Sequence, residues 1–199
     1  MSRHLLIATR NTHKTREIRA ILGRDWIVAD LAAKSDAPEE TGATFLENAT
    51  IKALDAARDF SGLVLSDDSG LEVDALDGAP GVISARYAGP NATDAENRAR
   101  LLRELDAAHV RGRQRSARFR CAMVLAQNET VLAHFEGTVE GVIIPHERGA
   151  GGFGYDSLFV PEGCCETFAQ LSEEVKNRLS HRARALSEAV KFLRARAQD

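Results

Sequence analysis

With 199 residues, of which 44% are hydrophobic and 28% charged, the chain has the composition of a globular protein with a sizeable core. The net charge of −3 argues against extended nucleic-acid binding, and no apolar run approaches the roughly 20 residues that cross a membrane. The three cysteines form neither a disulfide framework nor a paired zinc motif, and the first apolar stretch is too short for a signal peptide, so we expect a reducing, cytoplasmic setting.

Strands and helices are predicted to alternate along the first half of the chain. Apolar runs predict strands at 5–8, 26–28 and 63–65, and apolar residues at helical spacing predict helices at 14–22, 44–60 and 94–105. The later pattern predicts a β-rich meander over 116–126, 131–135 and 138–144, a strand at 158–160 and a last helix from about 180. We therefore expect an α/β fold, with an extended mixed sheet, flanking helices and a β-rich insertion that makes a second lobe.

The most informative segment follows the predicted strand at 63–65, where Asp67 and Asp68 precede Ser69 and Gly70. A buried strand that delivers carboxylates at its C-terminal end is a common way for α/β enzymes to hold a divalent metal or a general base. Two adjacent carboxylates are costly to bury unless a cation or a shared proton compensates them. A simple turn is the alternative, because Asp, Ser and Gly are ordinary turn residues.

A polar segment lies between the first strand and the first helix. Its residues are Thr9, Arg10, Asn11, Thr12, His13 and Lys14. Amides and hydroxyls at a helix N-terminus favour anions, and the lysine adds a full positive charge, so the segment could hold phosphate. The alternative is an ordinary strand–helix loop with a polar cap. It is not a Walker A loop, because that glycine-rich motif is absent from the chain.

The helix predicted at 44–60 presents polar residues after an acidic pair. Glu39 and Glu40 precede it, and Asn48 and Lys52 lie one turn apart on the same face, where both could point into one cleft. A solvated helix face, with the acidic residues acting only as partners of the helix dipole, is the alternative interpretation.

Two further segments combine groups that suit a purine base. Residues 149–154 match G-x-G-x-x-G, but a strand follows rather than a helix, so the match does not indicate dinucleotide binding. The loop could instead present Phe153 and Tyr155 beside Asp156 for stacking and hydrogen bonding, or be a mobile surface loop. Donors also cluster at 176–178 and 180–182, at the start of the last predicted helix, either for a polar ligand or as an exposed face.

These segments, in this order, resemble the inosine/xanthosine triphosphate pyrophosphatases. The matching residues are T-x-N-x-x-K at 9–14, F-x-E-N-A-x-x-K-A at 45–53, D-D-S-G-L-x-V-D-A-L at 67–76, P-G-V-x-S-A-R-Y at 80–87, G-F-G-Y-D at 152–156 and S-H-R at 180–182. Each match is weak or moderate alone, whereas six in order are very specific. The matches extend from Thr9 to about Ala183, nearly the whole chain.

The resemblance implies a single two-lobed domain over residues 1–199 around a central nucleotide cleft, usually as a homodimer. It implies Mg²⁺-dependent hydrolysis of dITP, ITP and XTP to the monophosphate and pyrophosphate, which keeps deaminated purines out of nucleic acids. Asp68 would be the general base, and Glu40 and Asp68 the metal-associated carboxylates. Expected substrate contacts are residues 9–14, Lys52, Ser69, Phe153, Gly154, Tyr155, Asp156, Lys176, His181 and Arg182.

Two features stand outside this assignment. Ser157 occupies the place where the family usually has proline after Gly-Tyr-Asp, which relaxes the backbone restriction on Asp156. Arg113, Arg115, Arg118 and Arg120 have no assigned role beyond the solvent face of a strand.

Two other functions are compatible with the same segments. One is a non-catalytic nucleotide- or RNA-binding module, which the adjacent Asp67 and Asp68 disfavour because carboxylates repel phosphate. The other is a triphosphatase that releases the γ-phosphate, which differs only in its product.

Overall fold

The computed structural model describes residues 3–23, 26–31 and 38–196. Its strands are β1 Arg3–Ala8, β2 Trp26–Asp30, β3 Leu63–Val73, β4 Ser116–Gln127, β5 Thr130–Ile143 and β6 Phe159–Pro161. Its α-helices are α1 Thr12–Leu22, α2 Phe45–Asp59, α3 Asp94–Ala107, α4 Glu173–Leu179 and α5 His181–Arg196. Three 3-10 helices cover Asp74–Leu76, Gly81–Arg86 and Gly112–Arg115.

The six strands form one mixed sheet in the order β2-β1-β3-β4-β5-β6. Strand β1 pairs in parallel with both β2 and β3, whereas β5 and β6 are antiparallel. Strands β4 and β5 are joined by Asn128 and Glu129, both at positive φ, as in a two-residue hairpin turn. The predicted mixed α/β fold with flanking helices is confirmed.

The chain divides into two compact units. The first comprises the described residues of 1–68, 121–137 and 181–199, and the second comprises 69–120 and 138–180. The second unit is not only β-rich, because it also contains α3 and α4. The single two-lobed domain expected from the sequence stays a prediction.

The sheet of the first unit packs on both faces, as the alternation of strand side chains requires. Leu5, Ile7 and Leu65 join the core cluster that includes α1 and α5. Leu6 and Val64, one residue out of step, join the cluster that includes α2. Odd and even positions of β1 and β3 therefore meet different helices.

The second unit has its own aromatic core. The rings of Phe119 and Phe159 lie edge to face with centroids 4.8 Å apart, and Phe168 lies 5.3 Å from Phe159. Leu101 and Leu105 of α3 are fully buried against this core. Helix α3 starts at a capping box, in which Thr93 and Glu96 satisfy each other's amides. These contacts hold the first turn of α3 in place.

Three sequence-based boundaries are wrong. Strand β3 extends through Asp67, Asp68 and Ser69 to Val73, so neither a strand end nor a turn lies at the carboxylates. The two strands predicted at 131–135 and 138–144 are one strand, β5. Gly137 does not interrupt this strand. Glycine is needed there because a Cβ would collide with the α5 backbone at His181 and Ala185. Lys176 belongs to the separate helix α4 rather than to the start of the last helix.

None of the helices in the described part of the chain is long and apolar enough to cross a membrane.

Candidate functional site

Asp67 and Asp68 are consecutive residues in the middle of β3, so their side chains point to opposite faces of the sheet. Asp67 follows Leu65 onto the face of α1 and α5, and Asp68 follows Val64 onto the face of α2. Both carboxylates are buried, with 0% and 6% of their surface exposed. Each therefore needs its own cations.

Asp67 is surrounded by positive charge. Its Oδ2 lies 3.2 Å from Lys14 Nζ and accepts hydrogen bonds of 3.3 Å from both Nε and Nη2 of Arg182. Arg182, which is 1% exposed, also donates from Nη1 to Glu17 of α1. Burial by itself raises the pKa of Asp67, but the charges of Lys14, Arg182 and Lys52 outweigh it and hold that pKa well below its usual value. Asp67 is therefore ionised and fixes α1 and α5 to β3.

Asp68 lies in a different environment on the other face. Its Oδ1 accepts a 2.8 Å hydrogen bond from Lys52 Nζ, which also donates to Glu40 Oε1 at 3.0 Å. Burial raises the pKa of Asp68, the nearby charge of Glu40 adds to the rise, and Lys52 and Lys14 offset it only in part. The pKa of Lys52 is also raised, because burial is outweighed by Asp68, Asp67 and Glu40. Asp68 is thus more basic than an ordinary aspartate.

Glu40 and Asp68 could hold a small divalent cation. The two carboxylates converge on one point, because both accept from the same ammonium group. Asp68 Oδ2 is buried and has no hydrogen-bond partner among the described residues. No group of three or more His, Cys, Asp or Glu side chains gathers as a metal site within those residues. Two carboxylates suit Mg²⁺, which prefers to complete its shell with phosphate oxygens and water.

The segment from Thr9 to Lys14 is an ordered helix start. Asn11 is the N-cap of α1, and its Oδ1 accepts from the amides of His13 at 3.0 Å and Lys14 at 3.3 Å. Residues 10–13 are exposed and Thr9 is half-buried, whereas Lys14 turns inward to Asp67. Lys14 therefore connects this segment to the buried Asp67.

A second cluster lies in the second unit, around a buried lysine. Lys176 is 6% exposed, and its Nζ lies 2.6 Å from Asp156 Oδ2 and 4.8 Å from the centre of the Phe153 ring. Asp156 Oδ2 also accepts from the Phe153 amide at 2.9 Å. Gly152 has φ +70°, and a Cβ there would collide with Asp156 Oδ2. The loop is thus closed around one ion pair.

Tyr155 is a structural member of this loop rather than an exposed ring. It is 4% exposed, and its hydroxyl donates to the carbonyl of Ser84 at 2.9 Å. Burial raises the pKa of Tyr155 above its usual value. Phe153 and Gly154 are half-buried, so the ring available to a ligand is that of Phe153.

Of the remaining predicted contacts, Ser69 belongs to the second unit, whereas His181 and Arg182 belong to the first. Ser69 is half-buried on β3, and His181 is 5% exposed at the first residue of α5. Arg182 belongs to the Asp67 network described above. The structure thus joins Phe153, Asp156 and Lys176 in one cluster, whereas a base contact by His181 or Arg182 stays a prediction.

Sequence reasoning missed Glu17, and a signal for it exists. Glu17 lies three residues after Lys14, so helical spacing puts both side chains on one face of α1.

The arginines without an assigned role have two kinds of environment. Arg118 and Arg120 do lie on a strand face, where they pair with Glu72, and Arg118 also pairs with Asp74 and Glu140. Arg115 differs from this interpretation, because it is 3% exposed and donates to Asp106 at 2.6 Å.

Comparison with known proteins identifies the family. The model of the Ham1 family matches residues 5–192. This chain belongs to the Ham1 family. It is 46% identical to a dITP/XTP pyrophosphatase from Halalkalibacterium halodurans, over 94% of this chain and 97% of the relative. It is 48% identical to the protein of the same name from Methylococcus capsulatus, over 98% of both chains.

Solved structures agree with this family assignment. A HAM1 protein from Coxiella burnetii superposes with a TM-score of 0.86 at 40% identity, covering 97% of this chain and 99% of that one. A nucleoside-triphosphatase / dITP/XTP pyrophosphatase from Mycobacterium abscessus gives a TM-score of 0.74 at 38% identity, over 94% and 98%. The family resemblance derived from the sequence motifs is confirmed.

The network around Asp67 predicts a large effect on stability. Asp67→Asn should lower the free energy of unfolding by about 3–5 kcal/mol, because Arg182 would remain buried without its main counter-charge. Urea denaturation at neutral pH measures this. Asp30→Asn is the control, since its ion pair with Arg19 is about half exposed and should be worth less than about 1 kcal/mol. Equal losses in the two variants would contradict the structural role of Asp67.

Proposed function

We propose that this protein hydrolyses non-standard purine nucleoside triphosphates, namely dITP, ITP and XTP, to the monophosphate and pyrophosphate. The observation that carries the proposal is the convergence of Glu40 and Asp68 on Lys52, in a chain that belongs to the Ham1 family. The homodimer and the cytoplasmic setting expected from the sequence are part of the proposal, and they stay predictions.

We propose Mg²⁺ as the cofactor, held by Glu40 and Asp68. The unbonded, buried Oδ2 of Asp68 supports this, since a buried carboxylate oxygen without a donor is costly unless a ligand completes it. When bound, the ion would neutralise phosphate charge and lower the pKa of a water molecule. Lys52, which now contacts both carboxylates, would remain beside the phosphates as a further cation.

The residues of the first unit have complementary roles in this chemistry. Asp68, whose Oδ1 is held by Lys52, would accept the proton of the water that attacks the α-phosphorus. Lys14 and the exposed start of α1 would stabilise the charge that develops on the pyrophosphate leaving group. Asp67 would not take part directly, because it is fully buried and is already paired with Lys14 and Arg182.

The Lys176 cluster would select the base. A base stacked on Phe153 would place a 6-oxo group as an acceptor for a buried ammonium group. Adenine has an amino group at that position, which offers Lys176 no acceptor. An unsatisfied buried donor costs about 1–3 kcal/mol, or roughly a 5- to 150-fold preference against adenine.

Product analysis tests the bond that is cleaved. Incubation with Mg²⁺ and dITP, XTP or dATP, followed by ion chromatography, should give monophosphate and pyrophosphate from dITP and XTP and far less turnover of dATP. The name of the Mycobacterium abscessus relative includes nucleoside-triphosphatase, so release of orthophosphate is the specific alternative. Orthophosphate as the first product, or equal use of dATP, would contradict the proposal.

Asp68→Asn tests the general base. The variant keeps the size of the side chain and an oxygen for Lys52, so it should fold, while kcat for dITP falls by about 100- to 10,000-fold. Circular dichroism checks the fold and steady-state kinetics check the rate. Asp59→Asn, an exposed aspartate at the end of α2, is the matched control and should leave kcat unchanged. A kcat within a few-fold of the wild type would remove Asp68 from the mechanism.

Phe153→Leu tests stacking of the base. Loss of one base–aromatic contact is worth about 1–3 kcal/mol, so KM for dITP should rise roughly 5- to 150-fold with little change in the melting temperature. Phe135→Leu is the control, because Phe135 is a half-buried ring that packs on Phe192 of α5 in the other unit. An unchanged KM in Phe153→Leu would make this ring structural only.

A further inference from the structure

The loop that carries Phe153 is held by four residues whose function has not been assigned above. We propose that Asp94, Arg98, Glu147 and Ser157 form a positioning clamp that fixes the loop of residues 153–156 and so sets the affinity and selectivity for the base. The effect on the base rests on the proposed function, whereas the clamp itself can be measured without any substrate.

The first part of the clamp binds both backbone groups of Gly154. The amide of Gly154 donates to Asp94 Oδ2 at 2.6 Å, and its carbonyl accepts from Arg98 Nη1 at 2.8 Å. Asp94 and Arg98 are four residues apart on α3, so they project from one face of the helix. Gly154 has φ +60° and would otherwise be the residue of the loop with the greatest backbone freedom.

The second part connects Arg98 to the other end of the loop. Arg98 Nε lies 2.9 Å from Glu147 Oε2, as an ion pair that is not aligned as a hydrogen bond. The same carboxylate oxygen accepts a 2.8 Å hydrogen bond from Ser157 Oγ. Partial burial raises the pKa of Glu147, but Arg98 and Ser157 outweigh it and lower that pKa. Arg98 thus connects Gly154 to Ser157 through one shared carboxylate.

Ser157 contributes to the clamp through its hydroxyl group. A proline at this place would restrict the backbone of Asp156 through its ring. Serine has no such effect, but its hydroxyl bonds Glu147 instead. The backbone next to Asp156 is therefore held by the contacts of Ser157 with Glu147 and of Glu147 with Arg98. Since Asp156 holds both Phe153 and Lys176, loosening it would disturb the groups proposed to bind the base.

The helix that carries the clamp is itself well anchored. Asn97, which lies between the two clamp residues of α3, is 2% exposed, accepts from the amide of Ala88 and donates to the carbonyl of Ala85. The capping box at Thr93 fixes the first turn one residue before Asp94. A rigid support of this kind is what positioning residues require.

The decisive comparison is Arg98→Gln against Arg103→Gln. Both remove one positive charge from α3, but Arg103 is exposed and none of its contacts reaches the loop among those described. In Arg98→Gln without substrate, hydrogen exchange of the Gly154 amide should become at least several-fold faster. With dITP, KM should rise roughly tenfold while kcat stays within about twofold, and the dITP-to-dATP preference should narrow. Arg103→Gln should match the wild type in every readout.

Ser157 provides an independent test. Ser157→Ala should change Gly154 exchange and KM in the same direction as Arg98→Gln, and should add little in the double variant because Ser157 reaches Gly154 only through Glu147 and Arg98. Ser157→Pro should restore slow exchange and the wild-type KM without the hydroxyl. If Arg98→Gln fails to fold, the alanine and proline variants still decide the question.

Two outcomes would overturn the clamp. One is equal Gly154 exchange in Arg98→Gln, Arg103→Gln and the wild type. The other is a double variant in which the effects of Arg98→Gln and Ser157→Ala simply multiply. Absence of dITP turnover in the wild type would instead refute the proposed function, and the exchange rates would still decide whether the clamp exists.

Discussion

The candidate chemistry depends on two consecutive carboxylates in the middle of a strand rather than at its end. In a turn, Asp67 and Asp68 could face the same way, and burying both would require a shared proton or a shared cation. In β3 they face opposite sides of the sheet, so Asp67 contacts Lys14 and Arg182 whereas Asp68 contacts Lys52. Strand geometry thus converts a repulsive pair into two environments, one carboxylate held ionised and the other with a raised pKa.

The Asp67 and Lys176 clusters both offset the cost of burying a cation by pairing it with a carboxylate. Arg182 and Lys176 are both nearly fully buried, and each is held by a carboxylate, Asp67 and Asp156 respectively. Each carboxylate also contacts a residue of the segment expected to touch substrate, namely Lys14 in one cluster and Phe153 in the other. Charges that would be costly alone therefore fix the positions of the groups proposed to bind phosphate and base.

The sequence was sufficient for the family and the fold class. Motif order identified Asp68, Lys52 and Glu40, which local spacing and chemistry had already singled out. It could not give the extent of β3, because Asp and Gly are poor strand formers and only pairing within the sheet overrides that preference. Nor could it pair Arg182 with Asp67 across 115 residues, since no local pattern encodes so distant a contact.

The charge balance of the Asp67–Asp68 region explains why a divalent cation belongs to the proposed reaction. The contacts described there join three cations to four carboxylates, namely Lys14, Lys52 and Arg182 with Glu17, Glu40, Asp67 and Asp68. A triphosphate adds several negative charges to a region that already has one in excess. Lysines alone cannot offset that charge without leaving their carboxylates uncompensated, whereas Mg²⁺ brings its own charge and takes carboxylate and phosphate oxygens together. In the proposed reaction, the site is therefore complete for chemistry only when substrate and cation arrive together.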